Sequence, residues 1–480
     1  MYVIKKQQFY FTEGTDLKKI ISLAILISLT GTMNFPLAVS AQEVNTATPK
    51  VFKSMVKKSK KETNDYKYTY INLDWWKNFN DANLDEYINL AITNNYDLKM
   101  ATIATKEYYQ NVKLQFSGEL PQAMAGFAPN LLKMQKNTDW NWMFAVPGIV
   151  NYEADIFLKN RDKTKSVKKL YEASLLDERA AHISVAAAVG TTYLNIVKLD
   201  KLIALQEDIV KSRQSIYDLM LMRNKEGLTS TADTVKANKA LIAGTTDLYE
   251  YKKQREIMAH QLAVLIGESP ENASSLKISN YDDINFTGII PTEISSEVII
   301  NRPDYLKAEK MVEKAGIDVR VARKEFLPSI NLTGVILPTA GSLGSLFSFK
   351  NSLTALAAGA MLPIFTGGRR IANLRLQKER YERILQDYYK TNLTSIQEVN
   401  DSLVTIKQDL EKLKANEKQA MLERADYGFD KEKYNQGVIS KLDLIQVEEN
   451  LMVIDKTVAA QKINCYVDYI GLYKAAGSKI

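Results

Sequence analysis

Proline is missing from two long stretches of this chain. None of the eleven prolines lies between Pro147 and Pro270, and none follows Pro363. A proline inside a helix removes an i→i−4 hydrogen bond and costs about 3 kcal/mol. Both windows exceed a hundred residues and are rich in Ala, Leu, Lys, Glu and Gln, so they read as long helices. In the first, apolar residues recur at spacings of three and four: Leu170, Ala173, Leu176, Ala180, then Leu202, Leu205, Ile209. A helix of about 65 residues would span roughly 100 Å, wider than any single globular core. Such helices must lie side by side in an elongated bundle or coiled coil. The small residues of Ala186–Gly190 would let neighbours approach closely there.

The prolines that are present bracket segments of another period. "VNYEADIFL" alternates Tyr152, Ala154, Ile156 and Leu158 with Glu153 and Asp155, and "PSINLTGVIL" sets Ile330 and Leu332 against Asn331 and Thr333. Period two means strand. Strands are expected at 121–132, 145–158, 328–339 and 352–365. One apolar and one polar face suits a transmembrane barrel strand, with Glu153, Asp155, Asn331 and Thr333 facing the lumen. An ordinary half-buried hairpin has the same alternation, and the strands alone leave both open.

The chain says much of this twice. "GLTSTAD" at 227–233 and "GVISKLD" at 437–443 share Gly, Ser and Asp at an offset of 210. "NNYDL" at 94–98 matches "NRPDY" at 301–305, and Leu120-Pro121 matches Leu327-Pro328, both at 207. Ile156-Phe157 and Arg161 match Ile364-Phe365 and Arg369 at 208, and Gly267 matches Gly477 at 210. Each half therefore reads helix, strand, strand, long helix, turn, helix. The halves run 74–268 and 301–480, joined through 269–300. Gly227 and Gly437 become reversals between long helices. Ser230 and Ser440 can cap the following helices, with Asp233 and Asp443 in their first turns. The fold class is mainly α with a small transmembrane β part. Four strands cannot close a barrel, so a barrel in lipid needs several copies of the chain.

Lys18-Lys19 precede an apolar run of about a dozen residues, and Val39 and Ala41 fit the small residues before a signal-peptidase cut. Residues 1–41 are expected to be an export leader, with an uncleaved anchor as the alternative, and 42–73 a solvated basic segment. The net charge is +7; the leader holds four lysines against two acids, leaving +5. No basic helix or aromatic–basic stripe marks a nucleic-acid surface, so none is expected as a partner. Cys465 is the sole cysteine and His182 and His260 the only histidines, all in helical sequence. No enzyme activity, cofactor or metal site is expected from such a set. "TGGRR" at 366–370 lacks the Lys-Ser/Thr of a phosphate loop.

The segments "DWWKNFNDANLDEYINLAITNNYDL", "YEADIFLKNR", "LPIFTGGRR" and "YNQGVISKLDLIQVEENL", in this order and duplicated, resemble the outer-membrane efflux proteins, the TolC-like channel-tunnels of Gram-negative bacteria. The resemblance covers about Asp74 to Gly477. It implies a homotrimer, a shared twelve-stranded outer-membrane β-barrel, a periplasmic α-helical barrel and a smaller equatorial domain. It implies a passive efflux duct, opened by a periplasmic adaptor and an inner-membrane pump. The tip turns Gly227, Leu228, Thr229, Ser230 and Gly437, Val438, Ile439, Ser440 would face the adaptor. Asp443 would form a carboxylate ring at the periplasmic gate, with Asp233 at the matching position of the other half. Gln446 stands where some members have a second aspartate, so one acidic ring is expected. Many members with the "WWxxF" opening are lipoproteins, and no cysteine stands near the expected cut. The competing reading is a periplasmic coiled-coil scaffold or adaptor-like protein that forms no membrane barrel.

Overall fold

In a computed structural model, residues 74–132, 140–288, 297–348 and 352–477 are described. The expected leader, the basic segment 42–73 and part of the 269–300 connection lie outside them. Helices α1 (Ala82–Asn94) and α2 (Tyr96–Ser117) lead into four short strands, β1 (Gln122–Ala125), β2 (Ala128–Leu132), β3 (Asn141–Ala145) and β4 (Gly148–Ala154). Then follow α3 (Lys159–Lys225) and α4 (Thr231–Leu265). The second half repeats the order with α5 (Pro303–Lys324), β5 (Ser329–Ala340), β6 (Ser352–Met361), α6 (Arg369–Asn435) and α7 (Lys441–Ala476).

The lengths make the duplication exact enough to use. α2 and α5 each have 22 residues, α3 and α6 each 67, and α4 and α7 have 35 and 36. Helices of 67 residues reach roughly 100 Å. Their N-caps, Leu158 and Gly368, are both left-handed and stand 210 apart. The strands agree: Gln122 opposes Asn151, and the residues 207 and 210 further on, Ser329 and Met361, oppose each other. The offset is thus already 210 before the long helices begin. The match of Ile156-Phe157 and Arg161 to Ile364-Phe365 and Arg369 at 208 is out of register by two. In space Arg161 corresponds to Ile371.

The sheet is an antiparallel meander of four strands. β1–β2 pairs with β3–β4, which pairs with β5, which pairs with β6. The strands expected at 121–132 and 145–158 are each broken, at 126–127 and 146–147. Pro147 has no N–H for the ladder, and its carbonyl instead accepts from Gly126 N–H at 2.9 Å. β4 also ends at Ala154 rather than Leu158. Leu158 turns left-handed (φ 57°) to start α3, so Ile156 and Leu158 belong to a turn, not to the strand's apolar face. β6 stops at Met361, ahead of Pro363 and the left-handed pair Gly367-Gly368.

The main core lies midway along α3. Trp75, Trp76, Phe79, Leu84 and Ile88 pack against Val189, Tyr193, Leu194 and Val197 of α3 and against Ile470 and Tyr473 of α7. Gly190 makes room for this: a Cβ there would sit 2.5 Å from the Trp75 ring. Tyr193 is fully buried and its hydroxyl donates to Asp81 Oδ2 at 2.7 Å, while Asp81 caps α1 through the N–H groups of Asn83 and Leu84. The most apolar window of α3 is long enough for a membrane, but over half of it is buried in the protein.

Candidate functional site

Two regions carry the candidate residues: the helix reversals and the sheet. At the first reversal α3 ends in Gly227, left-handed at φ 71°. Gly227 N–H donates to Asn224 O at 3.0 Å and Leu228 N–H to Arg223 O at 2.8 Å. At the second, Gly437 (φ 74°) and Val438 donate to Tyr434 O and Lys433 O at 2.9 and 2.8 Å. Both are Schellman motifs, which normally pack the residue after the glycine against an apolar residue of the last turn. Here the facing positions are Arg223 and Lys433. Leu228 and Val438 stay in solvent, each 69% exposed. Thr229, whose carbonyl accepts from Asn224 Nδ2, and Ile439 complete the turns.

The next residues close capping boxes. Ser230 Oγ accepts from Asp233 N–H at 3.1 Å and donates to Asp233 Oδ2 at 2.7 Å. Ser440 and Asp443 repeat this at 3.3 and 2.7 Å. These bonds from the Ser440 side chain and N–H hold the Asp443 carboxyl below the ordinary range, and those from Ser230 and Thr229 do the same for Asp233. Both carboxylates are exposed, as is Gln446, one turn after Asp443. Each aspartate thus has a demonstrated capping role, and its charge remains in solvent.

In the sheet, directly opposed residues share a face. One face of β5 presents Leu332, Gly334 and Ile336, opposed by Tyr152, Val150 and Gly148 and by Ala358, Leu356 and Thr354. It is almost wholly apolar, and Leu356 is 86% exposed. Phe144 opposes Ala340 on the same face, and its ring stacks with Trp142 and Phe127 at centroid distances of 6.0 and 6.3 Å. Tyr152 and this aromatic ladder are separated by about 26 Å of strand, eight residues of β5. That is comparable to the apolar band between the aromatic girdles of an outer-membrane barrel. Trp142 therefore lies on this apolar face.

The opposite face is polar only near the helices. Asn331 opposes Glu153, and Thr333 opposes Asn151, with Thr333 Oγ1 donating to Asn151 Oδ1 at 3.0 Å. Gln122 continues this row. Further out the same face holds Met124, Ile149, Val335, Leu337, Leu353 and Ala355. Glu153 accepts from Lys159 Nζ at 2.6 Å. Asp155 is a correction: it lies past the strand, and its Oδ2 accepts from Arg161 N–H at 2.8 Å, in the first turn of α3. Strict alternation suggested one strand through Leu158, and the tight turn at 155–158 interrupts it. Gln122 and Asn151 were missed, although "PQAMAG" carries a polar residue in step with Asn151.

A sheet with one apolar face and one face polar near the helices, an aromatic ladder at its far end and two helices of 67 residues define a chain that supplies part of a membrane barrel and part of a helical duct. Residues 87–268 and 294–478 match the outer membrane efflux protein family, and the chain belongs to it. It is an outer-membrane efflux channel with a periplasmic part. The probable efflux pump outer membrane protein TtgC of Pseudomonas putida is 25% identical over 412 residues, covering 84% of each chain. The cation efflux system protein CusC of Escherichia coli is 24% identical over 417 residues, 85% of this chain and 89% of that one. Among solved structures, the CmeC outer membrane channel of Campylobacter jejuni superposes with a TM-score of 0.78 at 25% identity, covering 85% and 89%. VceC of Vibrio cholerae gives 0.74 at 20%, covering 85% and 99%.

Proposed function

We propose that three copies of this chain form a passive duct from periplasm to exterior, closed at the Gly227 and Gly437 turns and opened by a periplasmic adaptor and an inner-membrane pump. The observation that carries the assembly is the four-stranded sheet with an apolar face and unpaired edges at β1 and β6 among the described residues. Lipid does not tolerate such edges, so further copies must cover them. The apolar face meets lipid. Glu153, Asn331, Thr333 and Asn151 line the water-filled floor of the barrel. Asp155 is left to its capping role.

The adaptor docks on the turns. Leu228 and Val438 are apolar, exposed and held rigid by Schellman bonds, which suits an apolar contact with a partner's tip. Asp443 doubles as cap and gate: three such carboxylates near an axis repel one another and attract cations. Asp233 takes the matching place on the first half, with Gln446 beside Asp443 adding no charge. Opening is a movement of the α6–α7 pair away from the axis. No catalysis is part of this duct. The relatives span toluene, antibiotic and cation pumps by name, so the cargo is left to the pump.

The test is the native mass of protein extracted from outer membranes, followed by planar-bilayer conductance. Three chains' mass and a cation-selective pore whose divalent-cation block is lost in Asp443→Ala are expected. A soluble monomer would sink the duct in favour of a periplasmic scaffold.

A further inference from the structure

The duplication has one seam inside the chain and a second that the chain cannot make alone. Inside, α3 of the first half packs against α5 and α7 of the second. Among the described residues α6 packs mainly on α5 and α7 of its own half; the counterparts of the α3 cross-seam neighbours are α2 and α4, supplied by another copy. Among the described residues five ion pairs cross the internal seam; Lys307–Asp177, Arg320–Asp162 and Lys324–Asp162 have no complementary counterparts in the duplicated register, and two other clips do. Lys169 on α3 meets Glu313 on α5 at 2.6 Å. Arg213 on α3 meets Glu449 on α7 at 2.6 Å and also donates to Ala240 O, with Glu449 nearly buried. The clips stand 44 residues apart on α3, roughly 66 Å.

The duplicated register identifies their counterparts. Lys169 and Arg213 become, 210 positions on, Glu379 and Glu423 on α6. Glu313 becomes, 207 positions back, Lys106 on α2, and Glu449 becomes, 210 positions back, Lys239 on α4. All four charges are reversed, and both pairs stay complementary. Lys106, Lys239 and Glu379 are exposed and Glu423 half-buried in the isolated chain. In these two of the five seam pairs both members invert together, so complementarity is kept at matched positions.

We infer that neighbouring copies are joined by Glu379 to the partner's Lys106 and by Glu423 to the partner's Lys239, the internal clips rebuilt with opposite polarity. This rests on the ring assembly proposed above but goes further, because the polarity fixes the order of halves around the ring. If α2 took the place of α5 on α3, Lys106 would face Lys169. If α7 took the place of α4 on α6, Glu449 would face Glu423. Either exchange sets like charges together. At these two positions the internal and external seams, alike in backbone, are told apart by sign.

The test uses the full-length protein in detergent. Glu379→Lys, Lys106→Glu, Glu423→Lys and Lys239→Glu should each lower the temperature at which the oligomer band is lost on native gels. The double reversals Lys106→Glu/Glu379→Lys and Lys239→Glu/Glu423→Lys should restore it, whereas the mismatched double Lys106→Glu/Glu423→Lys should not. In a Cys465→Ser background, cysteines at 106 and 379 should be joined between chains by a short bifunctional thiol reagent, and cysteines at 106 and 313 should not. An intact oligomer with no rescue and no 106–379 cross-link would overturn the pairing while leaving the duct standing. Absence of any oligomer in the unmodified protein would instead remove the assembly on which it rests.

Discussion

Arg302 does for the second half what Asn95 does for the first. Asn95 Nδ2 donates to the Leu265 carbonyl at 2.8 Å, and Arg302 Nη1 donates to the Ala475 carbonyl. Donors 207 apart thus hold carbonyls 210 apart, each tying the start of a short helix to the end of the last helix of its half. The second joint is more heavily built, since Arg302 also meets Asp304 at 2.7 Å and Glu398 at 2.6 Å.

Removing either donor should loosen its half. Arg302 is buried but its two carboxylate partners are about half exposed, so they can be rehydrated when it goes. Arg302→Ala is expected to cost about 2–3 kcal/mol, below the full penalty of an orphaned buried charge. Arg302→Lys should recover little, because one ammonium cannot reach a carbonyl and two carboxylates in these directions. Asn95→Ala loses a helix cap and a buried bond, about 2 kcal/mol together. Denaturant unfolding of the detergent-solubilised protein measures each.

Gly190 should tolerate nothing larger. An added methyl would meet the Trp75 ring at 2.5 Å and Ile470 Cδ1 at 3.1 Å. Both belong to the main core, and overpacking of this kind costs about 1–3 kcal/mol. Gly190→Ala is expected to lower the unfolding midpoint, and trimming Ile470 to Val in the same chain to recover part of it.

Much of this was legible in the sequence, for identifiable reasons. The long helices followed from the absence of proline, the reversals from Gly227 and Gly437, and the capping residues from Ser and Asp three positions apart. These signals are local, and the backbone obeys them directly. The broken strands were not legible, because Pro147 acts through a bond from Gly126, in the break between β1 and β2. The role of Asp155 was hidden because a capping residue and a strand residue fall in the same alternation. The two-residue slip at Ile364-Phe365 arose because a chance dipeptide match outweighed a register that only strand pairing reveals.

The two sheet faces should respond oppositely to charge. Leu356 is 86% exposed on the apolar face, opposite Gly334 and two residues along β5 from the level of Tyr152. Leu356→Arg would put a cation in lipid, at a cost of about 1–3 kcal/mol, between the interface and midplane values. It should reduce the yield of outer-membrane protein, while Thr333→Arg on the polar face should insert normally and change conductance. Normal insertion of Leu356→Arg with loss of Thr333→Arg would show the face assignment to be reversed, and equal insertion of both would refute it.

The last expectation concerns pH. Asp468 on α7 lies against Asp409 on α6, and burial, then the neighbouring carboxyl, push it up to about 7. An acid with a raised folded pKa binds more protons folded than unfolded, so folding is favoured at low pH. Stability should therefore fall as pH rises from about 4, the unfolded value, through 7. Asp443 has the opposite sign: its carboxyl is depressed, so its cap is intact above pH 4 and lost only in stronger acid. Thermal unfolding between pH 5 and 8 should thus show a downward slope set by Asp468 and untouched by Asp443. Asp468→Asn should flatten that slope, and Asp443→Asn should leave it unchanged. A slope that survives Asp468→Asn would place the titrating group elsewhere than in the α6–α7 carboxyl pair.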